Sequence, residues 1–452
     1  MGINCFQLFF PLIQPKWAQF KDIFKIPDLR RRIFFTLALL VVYRIGGHIP
    51  SPGIDVGAMK VFFEQARGTM FGLYDLFAGG NLSRATIFAL GIMPYISASI
   101  IFQLLTAVIP YLEKLQKEGE EGRRKITQYT RYATVGLAAI QAYGISHFLQ
   151  TIAPEGQPVV PNPGLAFQLL TMLTLTCGTI FIMWLGEQIT ERGIGNGISL
   201  IIFVGCLDTV PGDAMSTINM VIHGAMKPFV MVFVIVLMLA VTAAVVLITQ
   251  GQRRIPVQYA KRVIGRKIYG GQATHIPLNV NAAGVIPIIF ASAIMGVPAT
   301  ITQFFAGGTP WAETIQAYLQ PGTWFYSLIY AGLIVFFAYF YTAIVINPAD
   351  MADNMRKYGG FIPGIRPGAP TSEYIDRVMT RITLPGALFF AFIAVLPYYL
   401  MRLANVPFYF GGTTLLIIVG VALDTIQQIE SHLLMRHYEG FLKKGKIRSR
   451  RR

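Results

Sequence analysis

The chain has 452 residues, of which 54% are hydrophobic and only 13% charged, whereas about 25% of the residues in an average soluble domain are charged. Most side chains must therefore face lipid or other helices, which excludes an ordinary soluble fold. A formal charge of +16 is compatible with nucleic-acid binding and with membrane topology, so the positions of the basic residues must decide between them.

The apolar N-terminal stretch from Cys5 to Ile13 does not resemble a cleaved signal peptide, because no basic residue precedes it and no small-residue cleavage site follows it. Pro11 interrupts the stretch, which is also too short to cross a bilayer. We expect it to lie at the membrane interface or against other helices, ahead of the basic stretch Lys16 to Arg32. Residues 1–32 are then a cytoplasmic N-terminal segment.

Ten runs of residues are long and apolar enough to cross a bilayer. They lie near 33–49, 86–110, 133–150, 165–186, 197–215, 228–249, 282–304, 324–346, 379–401 and 411–434. We expect an all-α integral membrane protein with halves at 33–220 and 221–434 and a basic tail at 435–452. Ten crossings place both termini on one side of the membrane.

The Lys and Arg residues are strongly biased toward that same side. The two termini and the loops 111–132, 186–197, 250–280 and 346–381 carry 32 of the 38, and the opposite side carries the other 6. Because basic residues accumulate in cytoplasmic loops, both termini are predicted to be cytoplasmic. Most of the excess charge is therefore a signal of topology.

The second and seventh predicted spans contain related sequences, GIMPYISASII from Gly91 and GVIPIIFASAI from Gly284. Six identical residues, including a Gly and a Pro, coincide at a constant offset of 193 positions. Chance similarity between apolar helices is the alternative, but Gly and Pro are the residues that alter helix geometry. Since the two spans cross in opposite directions, the pattern predicts an inverted five-plus-five repeat with the functional pathway between its halves. Many secondary transporters share this property.

Few residues are suited to catalysis, metal binding or ion coupling. No P-loop, zinc spacing or Ser-His-Asp pattern is present, so we expect no enzyme active site and no cofactor. The spans contain few ionisable side chains, chiefly Asp208, Asp424 and Glu430, which weakens the hypothesis of an ion-coupled transporter. Three cysteines are too far apart to indicate a disulfide framework or a metal site: Cys5, Cys177 and Cys206.

The segment MFGLYDLF, residues 70–77, is apolar but too short to cross the membrane, and Gly79 and Gly80 separate it from the next helix. A re-entrant half-helix and an amphipathic surface helix are both compatible with it. The residues alone favour the surface helix, which is the commoner structure.

Two long cytoplasmic loops have features beyond topology. Loop 250–280 has six basic and no acidic residues, and β-compatible stretches flank its Gly265, which predicts a projecting hairpin. The charge fits docking to RNA or to an acidic protein face, and also the ordinary positive-inside bias. In loop 346–381, the sequence FIPGIRPG holds Arg366 in a constrained turn, either as a structural turn or as a docking finger.

Six segments together resemble the SecY family of protein-conducting channels, and they occur in the family's order across most of the chain. They are LGIMPYISASII, EGRRKITQYTRY, LGEQITERGIGNGISLIIF, QRRIPVQYAKR, THIPLNVNAAGVIP and FIPGIRPG. The first dozen residues and the basic tail do not match clearly, and Ala78 stands where the family often has Ser. The resemblance implies two inverted five-helix halves that form an hourglass, with a re-entrant plug helix at about Thr69 to Arg84.

The resemblance also implies a pore ring of isoleucines that forms the constriction of the hourglass. The ring positions are Ile92, Ile96, Ile198, Ile202, Ile289 and Ile417. The plug positions are Phe71, Leu73, Tyr74, Leu76, Phe77, Gly79 and Gly80. Two of the ring pairs are spaced i and i+4 and so share a helix face, although spacing alone would favour ordinary helix packing.

By the same resemblance, spans two and three separate from spans seven and eight as a lateral gate, which releases apolar segments into lipid. The gate residues are Pro94, Ser99, Gln103, Gln141, Asn281, Pro287 and Ser292. Gln103, Gln141 and Asn281 are hypothesised to form a polar cluster whose interhelical hydrogen bonds tune the opening.

The implied partners are SecE and SecG in the membrane, and SecA or the ribosome as the motor at the cytoplasmic loops. Secretory polypeptides with signal sequences, in a bacterial plasma membrane, are the implied substrates. The docking residues are Arg253, Arg254, Arg266, Lys267 and Arg366. A small-solute transporter built on an inverted repeat is the alternative.

Overall fold

A computed structural model describes most of the chain. The described residues are 26–65, 72, 74–75, 78–152, 158–224, 227–259, 262–264, 267–269, 273–281, 283–304, 318–320, 322–404 and 412–444. The apolar stretch Cys5 to Ile13 and the end of the basic tail lie outside these residues.

Helices dominate the first half of the described chain. They are α1 (Pro27–Gly46), α2 (Val56–Gln65), α3 (Met93–Val108), α4 (Pro110–Lys117), α5 (Glu120–Thr151), α6 (Leu165–Arg192) and α7 (Gly197–Ile222). Helix α5 packs against α3 and α6, and α6 packs in turn against α1 and α7. The helices of this half therefore pack against one another as one bundle.

The second half adds further helices and a small sheet. Its helices are α8 (Pro228–Thr249), α9 (Ile286–Phe304), α10 (Trp324–Val345), α11 (Pro348–Lys357), α12 (Ala369–Ala404) and α13 (Gly412–Lys444). Its strands are β1 (Gln252–Tyr259), β2 (Arg262–Ile264), β3 (Lys267–Tyr269), β4 (Ala273–Asn279) and β5 (Gly360–Phe361). Helix α12 packs against α10 and α13.

Each of the ten predicted spans overlaps a helix in the described residues, although the bounds differ. By length and composition, six of these helices can cross a membrane, or up to seven if the bent pair α3 and α4 counts as one span. Helices α1 and α5 carry charged residues near their starts, and the apolar stretch Ile286–Pro298 of α9 is shorter than a full crossing. These features explain why composition alone does not identify every span.

The predicted start of the second span at residue 86 is wrong, because residues 86–92 form turns and the helix begins at Met93. Gly91 has φ +57°, a left-handed conformation that no helix continues. Gly284 has φ +65°, and α9 begins two residues later at Ile286. The two related sequences thus share a left-handed glycine and a helix start at the same offset.

The predicted hairpin of loop 250–280 is confirmed. Strands β1 and β4 pair antiparallel, with Ile255 opposite Ile276, and β2 pairs with β3 near the tip. Strand β5 of loop 346–381 pairs with the other edge of β1, so the sheet order is β4-β1-β5. A separate apolar core between the two loops includes Val257, Leu278 and Ile362, which makes them one structural unit.

The predicted plug helix at 69–84 is too long. Residues 72, 74 and 75 are helical, but residues 78–85 form turns in which Gly79 and Gly80 both have positive φ. The interruption predicted at these two glycines is therefore confirmed, and the segment after them connects to α3 without a helix.

Candidate pore, plug and gate

Isoleucines from four helical elements meet in the largest buried apolar cluster of the described chain, here called the pore cluster. Five of them are at most 5% exposed, and Ile198 is half-buried and packs against the cluster. The predicted ring residues are all included: Ile92, Ile96, Ile198, Ile202, Ile289 and Ile417. They come from the start of α3, from α7, from α9 and from α13, so both sequence halves contribute.

Local backbone geometry aligns the ring residues along their helices. The amide of Ile96 donates to the carbonyl oxygen of Ile92 at 3.1 Å, so these side chains lie one turn apart. The Asn196 side chain caps α7 by accepting from the amides of Ile198 and Ser199 at 3.1 and 3.3 Å. The cap fixes where α7 begins and so where Ile198 and Ile202 stand.

The segment that holds the predicted plug packs against the pore cluster. Tyr74 is half-buried between this cluster and a second apolar cluster that includes Met59 and Leu90. A Cβ atom added at Gly79 would lie 2.8 Å from the Cα atom of Gly205 in α7. The backbone of this segment is therefore in direct contact with a pore helix.

Side-chain hydrogen bonds hold the turn that follows the plug. The Asp75 carboxylate accepts from the amides of Leu82 and Ser83 at 2.9 and 3.0 Å. Asn81 is buried and donates to the Tyr43 hydroxyl of α1 at 3.2 Å. The turn is thus tied to itself and to α1. The side chains of Phe71, Leu73, Leu76 and Phe77 lie outside the described residues.

A charge cluster of Arg44, Arg84 and Asp208 joins three elements beside this turn. Arg84 Nη2 lies 2.8 Å from Asp208 Oδ2, and Arg44 pairs with the other carboxylate oxygen. The two arginines lie on α1 and on the turn after the plug, and Asp208 lies on α7. The sequence marks Asp208 as an ionisable residue of a predicted span, but its pairing with the two arginines depends on how the three elements pack.

The predicted gate seam is closed, because α9 packs against both α3 and α5. Pro94 and Pro287 stand in the first turns of α3 and α9. The Ser292 hydroxyl shares a 2.8 Å hydrogen bond with the Tyr330 hydroxyl, which ties α9 to α10. The two sides of the seam are therefore α3 with α5, and α9 with α10.

The hypothesised polar cluster at the gate is only partly assembled. Gln103 donates to Ser99 within α3 at 3.2 Å, and its amide oxygen is buried without a hydrogen-bond partner, as is that of Gln141 on α5. Asn281 instead lines a small cavity with residues of α10 and α12. No described hydrogen bond joins Asn281 to either glutamine.

The predicted docking residues surround the sheet of the two loops. Arg253 and Arg254 on β1 are exposed, as is Arg366 in the turn that precedes α12. The Thr371 hydroxyl donates to the Arg366 carbonyl oxygen at 2.8 Å, between left-handed glycines at 364 and 368. This fixes the turn and leaves the guanidinium free to project. Arg266 and the Lys267 side chain lie outside the described residues.

The site consists mainly of packed apolar side chains and a few paired charges. Within the described ranges, no three His, Cys, Asp or Glu side chains converge as a metal site. Cys177 is exposed and Cys206 is buried, and both are free thiols. The arrangement is a buried apolar cluster, a segment packed beside it and a seam between two groups of helices.

Comparison with known proteins identifies the family. The SecY family profile matches residues 86–426. The protein translocase subunit SecY of Escherichia coli strain K12 is 53% identical over 423 residues, which are 93% of this chain and 95% of that relative.

Two solved structures share the fold. One, described by the statement that the plug domain of the SecY protein stabilises the closed state of the translocation channel and maintains a membrane seal, aligns with a TM-score of 0.64 and 20% identity over 88% of this chain and 91% of that chain. Sec61 in the canine ribosome-channel complex aligns with a TM-score of 0.59 and 17% identity, covering 88% and 91%. With its apolar helices, the chain is a multi-pass membrane protein, and it belongs to the SecY family.

Proposed function

We propose that the chain forms a channel through which unfolded secretory polypeptides cross the plasma membrane, with its constriction at the six ring isoleucines. The observation that carries this proposal is the pore cluster, in which helices from both halves converge and against which the plug segment packs at Tyr74. As a member of a family of translocase subunits, the chain is a channel component and not an enzyme.

Isoleucine suits a constriction that must pass many sequences. Its β-branched side chain has few rotamers, so a ring of such residues closes with a defined shape. The side chains offer no hydrogen-bond partner to the moving chain, which therefore slides, and an apolar constriction opposes the passage of hydrated ions. In this proposal the segment around Tyr74 and Gly79 completes the seal, as the neighbouring structure describes for its own plug.

Apolar segments leave the channel sideways in this proposal, between α3 with α5 and α9 with α10. The seam lies beside the constriction, since Ile92 and Ile289 stand at the starts of α3 and α9. A sufficiently apolar signal sequence or membrane span is stabilised in lipid by the burial of its side chains. The half-buried polar groups at the seam influence the free energy of opening.

An external motor must drive transport, because no nucleotide-binding motif is present. We propose that SecA or a translating ribosome docks on the exposed arginines of the sheet, with SecE and SecG as membrane partners. The cytoplasmic placement of both termini follows from the bias of basic residues. A ribosome is present on the related canine channel, and phosphate contacts by arginine would serve the same purpose here.

The test places a photo-crosslinking amino acid at Ile289, in membranes that contain SecE and SecG and a stalled secretory precursor with SecA and ATP. Adducts with the precursor are expected because Ile289 is in the proposed constriction. The same probe at Leu239, a 66% exposed position on α8, is the control and should react with lipid instead. Absence of precursor adducts at Ile289 together with saturable uptake of a small solute would support the transporter alternative.

A further inference from the structure

A cavity of about 350 Å³ lies between the starts of α7 and α9 and the middle of α13. A cavity of this volume can hold a side chain of a bound polypeptide. Its polar lining includes Asn196 and Ser199 from α7 and Asp424, Gln427 and Gln428 from α13. It is separate from the charge cluster and from the plug. In the proposed topology it opens toward the cytoplasm.

Among the described residues that line this cavity, Asp424 is the only ionisable one. Its side chain is exposed, and no described residue forms an ion pair or a hydrogen bond with its carboxylate. By contrast, Glu187 on α6 pairs with Arg131 at 2.7 Å, and Asp208 pairs with two arginines. The Asp424 carboxylate is therefore available to a cation from outside the chain.

The cavity adjoins both the constriction and the gate. Val285 and Ile286, at the start of α9, line it directly. A Cβ atom added at Gly284 would lie 3.7 Å from Asp424 Oδ2, so the carboxylate stands at the base of the gate helix. A segment held between α3 and α9 would have its cytoplasmic end next to this carboxylate.

We propose that this cavity binds a lysine or arginine side chain in the basic segment at the start of a signal sequence. The inference rests on the proposed function. A signal sequence has a positively charged region followed directly by an apolar region. When the apolar region occupies the seam, the basic region lies at the start of α9, where Asp424 accepts the charge and the glutamine amide oxygens accept its remaining hydrogen bonds.

Because the surrounding surface is positively charged, the Asp424 carboxylate is a favourable position for a basic segment. The predicted cytoplasmic side carries 32 of the 38 Lys and Arg residues, which repel a basic segment that approaches. The cavity provides a position at which such a segment is stabilised rather than repelled. For an ion pair that remains accessible to water, removal of the charge changes binding by about twofold to fivefold.

The test measures the initial rate of ATP-dependent export into vesicles that contain the complete complex. Three precursors are compared, identical except that the first region of the signal is basic, neutral or acidic. Asp424→Asn should slow export of the basic precursor by about twofold to fivefold and leave the neutral one unchanged. Asp424→Lys should slow the basic precursor further and raise export of the acidic one.

Asp376→Asn is the matched control, because Asp376 is an exposed acid of loop 346–381 that does not line the cavity. It should not discriminate among the three precursors. An equal effect of Asp424→Asn on all three, or no effect on any, would overturn the inference. Failure of the unaltered complex to export even the neutral precursor would instead overturn the proposed function.

Discussion

At Gly79 the backbone of the plug segment is in direct contact with α7. Its φ of +73° is left-handed, and an added Cβ atom would lie 2.8 Å from Gly205 Cα and 3.1 Å from the Tyr43 hydroxyl oxygen. Neither backbone can move without disturbing α7 or the turn. Gly80 is also left-handed, at +71°, but a Cβ atom there would meet only Arg84 Nη2, at 4.0 Å.

This difference predicts that Gly79→Ala weakens the closed channel more than Gly80→Ala. In both variants, placing alanine in the left-handed conformation costs about 1–2 kcal/mol of conformational free energy. Only Gly79→Ala adds a steric clash with the backbone of Gly205. The measurement is resting ion conductance of the reconstituted complex in planar bilayers without precursor. Equal leaks from the two variants would show that the contact with Gly205 does not contribute to the seal.

The ion pairs of the charge cluster could not be predicted from the sequence. Arg84 and Asp208 are 124 positions apart, and a third partner comes from α1. Composition identifies each as an ionisable group near a membrane, but pairing depends on how three helical elements pack. The ring isoleucines were predicted only through the family's motifs, because their spacing is equally typical of helix packing.

At the scale of elements, the long spans and the hairpin were predictable because their patterns are local. Apolar length identifies helices such as α8, and β-compatible stretches on both sides of Gly265 identify the hairpin. The strand β5 was missed, since two residues carry no periodicity and their pairing with Gln258 and Tyr259 is non-local. The plug helix was predicted too long because the turn after Gly80 depends on hydrogen bonds to Asp75.

The turn around Arg366 yields a prediction for the loop as an element. Arg366→Glu should slow SecA-driven export by about tenfold or more, because it replaces an exposed charged contact with a repulsive one. Assembly with SecE should be unchanged, since the turn is held by the backbone carbonyl of Arg366 and not by its side chain.

The measurements are export rates and copurification of SecE. Arg381→Glu is the control, because Arg381 is an exposed basic residue in the same loop outside the turn. A loss of assembly in Arg366→Glu would instead assign Arg366 a structural role, and equal export defects in the two variants would indicate a general charge effect.

At the scale of the whole molecule, the closed state of the proposed gate depends on the seam between α3 with α5 and α9 with α10. Helix α9 packs against both α3 and α5 there. The buried amide oxygens of Gln103 and Gln141 have no partner in this state, and an unpaired buried polar group destabilises the state that buries it. The closed seam is thus less stable than a fully apolar seam would be.

Gln141→Leu should therefore favour the closed seam. Export of a precursor with a weakly apolar signal should fall by roughly threefold, which corresponds to about 0.6 kcal/mol for one interhelical polar group, while a strongly apolar signal should be less affected. Gln128→Leu, an exposed position on the same helix, is the control. If both signals respond equally to Gln141→Leu, the amide has no part in gating.

The sheet of order β4-β1-β5 also has a mechanical consequence. Strand β4 is followed closely by α9, and β5 by α12, while β1 pairs with both. A force applied to either loop is shared through the backbone hydrogen bonds of β1 and reaches two membrane helices at once. A partner that pulls on this sheet would therefore transmit force to the proposed gate helix α9 and to α12 at the same time.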